Sequence, residues 1–92
     1  MVIITLSQLV EEKISLLKEI MDHKNNKPEL NSTFQIQIDT IRSAAQDLEN
    51  VEALIKQKKA QLKNSRDVYE SERLFAELDG LEWLQRQMAR LS

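Results

Sequence analysis

Few residues in this 92-residue chain are of types that do chemistry, and their spacing narrows the choice further. The single histidine, His23, follows Glu19 by one helical turn and Asp22 directly, so carboxylate and imidazole can share one helix end. Acid–base or metal chemistry asks for more than that pair. A metal takes three or four converging ligands, and a catalytic imidazole needs a nucleophile and a group to orient it. No spacing marks either, so His23 reads as a last-turn side chain meeting the negative end of a helix dipole. The chain has no cysteine and one glycine. That excludes disulfides, thiolate nucleophiles, zinc ribbons and iron–sulfur sites, and leaves no glycine-rich phosphate loop or dinucleotide fingerprint. A small helical domain also tends to fill its interior. The expectation is therefore a protein that is not an enzyme, with no cofactor, metal or small-molecule substrate.

Two other groupings point to recognition. Lys56, Lys58, Lys59 and Lys63 make the most basic stretch of the chain and could meet phosphates or an acidic protein surface. No aromatic is interleaved for base stacking, acidic residues dominate the following segment, and the chain's net charge is −2. A solvated helix face is the leading reading; a nucleic-acid-associated regulator, doubled across a dimer, is the alternative. Tyr69, Ala76, Gly80 and Trp83 cluster within about 60° around a helix, roughly opposite a leucine stripe. Two small residues between two aromatics let another backbone approach while the rings bury area around it. They are candidates for a protein interface, and the competing reading has Trp83 covering a neighbouring helix of its own bundle.

The elements that must position these groups are helical. With 41% hydrophobic residues, one Gly and one Pro, the chain is neither disordered nor supplied with the turns of a β-sandwich. Thr5-Leu6-Ser7-Gln8 is a capping box, with Ile4 and Leu9 placed as a hydrophobic staple. Leu6, Leu9, Val10, Ile14, Leu17, Ile20 and Met21 then fall on one arc. This helix spans about 6–24 and ends before Asn25-Asn26-Lys27-Pro28, leaving a loop over 25–31.

Residues 33–38 alternate with period two, as a half-buried strand does. Helical spacing through Phe34, Ile38, Ile41, Ala45 and Leu48, and a second capping box at Ser32-x-x-Gln35, favour a helix over about 32–63 instead. Its stripe continues to Val51, Ile55 and Leu62 but slides, admitting Glu52 and Lys59. Asn64-Ser65-Arg66-Asp67 supplies a break. Leu74, Leu78, Leu81, Leu84, Met88 and Leu91 line a last helix over about 66–91 that runs through Gly80, a kink there being the competing reading.

The fold expected from these segments is all-α and a single domain over 1–92. It is an antiparallel three-helix bundle, or a long helical hairpin with a shorter N-terminal helix, packed in coiled-coil fashion. An unbroken 32–63 helix is about 48 Å long, so roughly 20 Å of the hairpin lacks a third partner. A seam of that kind is normally covered by another chain. The partner expected is another protein or a second copy, and the role that of an adaptor, co-chaperone or inhibitor. Val2-Ile3-Ile4 is short and has no basic leader, and no run of apolar residues is long enough for a membrane span, so a cytoplasmic setting is expected.

Overall fold

The computed structural model describes residues 5–23 and 28–91. Its first helix, α1 (Leu6–Asp22), opens on the expected reciprocal cap. Thr5 Oγ1 accepts from the Gln8 backbone N–H at 3.2 Å, and Gln8 Oε1 accepts from the Thr5 N–H at 3.0 Å. The staple to Ile4 lies outside the described residues. So does most of the connection after His23, which closes α1 with its N–H on the Ile20 carbonyl at 3.2 Å.

The second helix, α2 (Pro28–Ala45), begins earlier than expected. Pro28, read from the sequence as a stop, stands at a helix start, where its fixed φ suits the first turn and its missing N–H has no intrahelical partner to lose. The 28–31 end of the expected loop is therefore helical, and Ser32 and Gln35 lie inside a helix. Residues 33–38 are helical as well; the strand alternative is set aside, because Ile38 and Ile41 share a buried helical face.

The single helix expected over 32–63 is two helices. After Ala45 the Gln46 and Asp47 N–H groups turn back onto Ser43 and Ala44 at 3.3 and 3.0 Å. Asp47 leaves the helical basin at φ −144°, ψ 70°, and one 3₁₀ turn (Leu48–Asn50) leads into α3 (Val51–Asn64). Asn50 Nδ2 donates to the Asp47 carboxylate across this turn. Short polar side chains that bond locally offer the chain an alternative to helix continuation. The sliding stripe was the trace of this break. Across it the buried phase resets to Val51 and Ile55, and Glu52 is returned to solvent.

The last helix, α4 (Val68–Leu91), follows Ser65-Arg66-Asp67 and is unbroken through Gly80. Asp67 Oδ1 accepts from the Tyr69 N–H at 3.0 Å and its carbonyl from the Ser71 N–H at 2.9 Å. A Cβ built on Gly80 would lie 3.2 Å from Ile41 Cγ1 and 3.3 Å from the Gln37 carbonyl oxygen. Glycine serves there to bring α2 against α4, not to bend the helix.

Among the described residues there are thus four α-helices and no strand, an all-α bundle. The long α4 is its axis and packs on α1, α2 and α3, while α1 also packs on α2. The core draws Val10, Ile14 and Leu17 from α1, Ile38, Ile41 and Ala44 from α2, Val51 and Ile55 from α3, and Leu78, Leu81 and Leu84 from α4. The molecule measures 48 × 36 × 17 Å with a radius of gyration of 14.0 Å, above the ~12 Å of a round domain this long. At about 8–10 Å between packed helices, so thin a slab stacks no third layer, and one side of α4 faces outward. No described helix is long and apolar enough to cross a membrane.

Candidate interaction surface

Of the residues singled out in the sequence, the four on α4 do not form one exposed face. Ala76 and Gly80 are buried, and Gly80 lies under Ile41 of α2. Trp83 is half-buried, packs against the core, and carries the Lys13 ammonium of α1 at 5.6 Å from its ring centre. Tyr69 stands apart on the first turn of α4, 82% exposed. The close approach foreseen at the small residues does occur, but the helix that makes it is α2 of the same chain. Trp83 likewise covers a neighbour within the bundle, with a cation–π contact worth roughly 0.5–1 kcal/mol at an exposed site.

Three lysines of the run have acidic neighbours in their own chain. Lys58 pairs with Glu77, Lys59 lies 3.7 Å from Glu82, and Lys56 lies 3.8 Å from Glu52. Lys63 occupies the last turn of α3, where a cation meets the helix dipole favourably. Only the Lys58 pair is close and sheltered; Lys56 and Lys59 are exposed and their acidic neighbours lie at longer range.

Glu77 was missed in the sequence. It is buried within the leucine arc of α4, at the wall of a cleft of about 540 Å³ between α2, α3 and α4 lined by Ile36, Thr40, Leu54 and Leu81 among others. Its Oε1 accepts from Arg73 Nε at 3.0 Å, and its wholly buried Oε2 is in direct contact with the Lys58 ammonium. Burial pushes the carboxyl up, but Lys58 and Arg73 together outweigh it and hold Glu77 below its ordinary value. A carboxylate kept charged in this way has no proton to give at neutral pH and little tendency to take one. It pins α3 to α4. The available signal was a charged residue inside an apolar arc with an arginine four residues before it.

His23 stands just beyond the last turn of α1, as its extended C-cap, and closes the helix through its backbone N–H and not through the imidazole; among the described residues no group of three or more His, Cys, Asp or Glu side chains converges as a metal site.

What the bundle leaves open is the outward side of α4. Val68, Glu72, Phe75, Asp79, Arg86 and Arg90 are all exposed and lie within about 60° of one another around the helix. Phe75 is 56% exposed and Val68 68%. The apolar seam expected on a projecting end of a long second helix has no counterpart, because that helix is two; the exposed side of α4 is a different surface, with Val68 and Phe75 set among four charged residues. Comparison with models of protein families, with curated proteins and with solved structures finds no match.

Proposed function

We propose that this chain is a non-enzymatic protein–protein interaction module, an adaptor, co-chaperone or inhibitor, that binds through the outward side of α4. The observation that carries the reading is Phe75. It lies in the body of a well-packed helix, yet its ring is turned to solvent at 56% exposure. Full burial of such a side chain is worth about 1.5–3 kcal/mol, of which the isolated fold forgoes roughly half. Aromatic side chains are enriched in interfaces, and Val68 extends the same line two turns earlier. The setting proposed for this role is the cytoplasm.

The test is a photo-crosslinking benzoylphenylalanine placed at position 75, with Gln61 on the exposed side of α3 as the control position, irradiated in cells of the source organism. A discrete adduct from position 75 that is absent from position 61 supports the reading. No adduct at position 75, or the same ladder at both positions, contradicts it.

A further inference from the structure

Resting on that reading of α4, we propose that the partner its outward side fits is a second copy of this chain, packed antiparallel, α4 against α4. The charges on this side reverse along the helix. Glu72 and Asp79 occupy its N-terminal half and Arg86 and Arg90 its C-terminal half, all four are exposed, and none makes an ion pair among the described residues. Two further charges lie at its edges: Glu82, near the reversal point and 3.7 Å from Lys59 of its own chain, and Lys13 of α1, which sits over the Trp83 ring and lines one groove with Asp79, Glu82 and Arg86. A face that is acidic at one end and basic at the other is complementary to itself when turned end for end. A parallel pairing would set like charges together.

A two-fold axis near Glu82 places Asp79 opposite Arg86 and Glu72 beside Arg90 of the second copy. It also sets Phe75 opposite the small, exposed Ala89, flanked by the aliphatic stems of Arg86 and Arg90, which can cover a ring while their guanidinium groups stay wet. The contact repeats on both sides of the axis, as an isologous interface must. Only Glu82 faces its own kind, with Lys59 of each chain in place to offset it. Because the face is one helix wide, the dimer is weak, salt-sensitive and exchangeable.

Sedimentation equilibrium of the full chain over roughly 10–1,000 µM in low salt tests this. Wild type should dimerise, and less as NaCl is raised from about 0.05 to 0.5 M. Arg86→Glu with Arg90→Glu makes the face wholly acidic and should weaken association at least ~10-fold. Adding Glu72→Arg and Asp79→Arg restores the alternation and should bring affinity back to within ~3-fold of wild type. All four positions are exposed, so helicity by circular dichroism should be unchanged throughout. A wild-type chain that stays monomeric, or a dimer indifferent to the charge reversal, overturns the proposal. If the chain is monomeric while the crosslinker at position 75 captures a different protein, the homodimer falls and the binding role of the face stands; with no adduct as well, both fall.

Discussion

The two largest contacts of α4 are built on different principles. Against α2 it brings Gly80 under Ile41, with Leu81, Leu84 and Ile38 buried in the same core, an approach close enough that one added methyl would meet Ile41 and a backbone carbonyl. Against α3 it offers a mixed edge, where buried Val51 and Ile55 are accompanied by the Lys58–Glu77–Arg73 cluster and the Lys59–Glu82 pair. Apolar packing is non-directional and rewards whatever lies closest. A buried carboxylate rewards only the arrangement that keeps its cations in place, and adds less to stability than its distances suggest. The contrast assigns stability to the α2 side and alignment of the hairpin to the α3 side.

That division can be broken most severely at Ile41, which is 0% exposed. Ile41→Ala should cost about 2–5 kcal/mol in denaturant unfolding; a cost under 1 would show that the α2 contact is not where the stability resides. Glu77→Gln should cost about 1–2 kcal/mol at neutral pH, since its amide cannot balance two cations and Lys58 and Arg73 retain partial access to water. The folded carboxyl is held below its ordinary value of 4.5, so its contribution is present above that pH and lost as pH falls through the folded value. The gap between wild type and Glu77→Gln should therefore narrow below pH 4.5, and a gap that widened in acid would assign the stabilising form to the protonated acid. Gly80→Ala sharpens the α2 side. The gain in helix propensity of about 1 kcal/mol is set against overpacking on Ile41 of about 1–3, for a net loss near 1 kcal/mol by thermal unfolding. A stabilised variant would mean that α2 yields freely.

Much of this was legible in the residues and some was not, for identifiable reasons. The α1 cap could be read because Thr5 and Gln8 are neighbours in the chain, and the run of α4 through Gly80 because its leucine period never slips. The end of α2 was hidden by period. Phe34 to Leu48 keeps helical spacing up to a break made by the local chemistry of Asp47 and Asn50, and only the slide toward Glu52 betrayed it. Pro28 misled because proline ends one helix and starts another by the same missing N–H. The angular cluster of Ala76, Gly80 and Trp83 was genuine, but one dimension does not say which helix fills a face. The pairings of Lys13 with Trp83 and of Lys58 with Glu77 join separate helices and become visible only once α1 and α3 are set against α4.

The central claim is that the inward sides of α4 hold the fold and its outward side is kept for contact. Phe75→Ser tests it most directly, unfolded with urea at a protein concentration low enough to keep the chain monomeric. The account predicts a stability within about 0.5 kcal/mol of wild type, as for a surface change that removes no packed contact. A loss of about 2 kcal/mol or more would make Phe75 part of the core and leave the outward side of α4 without its reason.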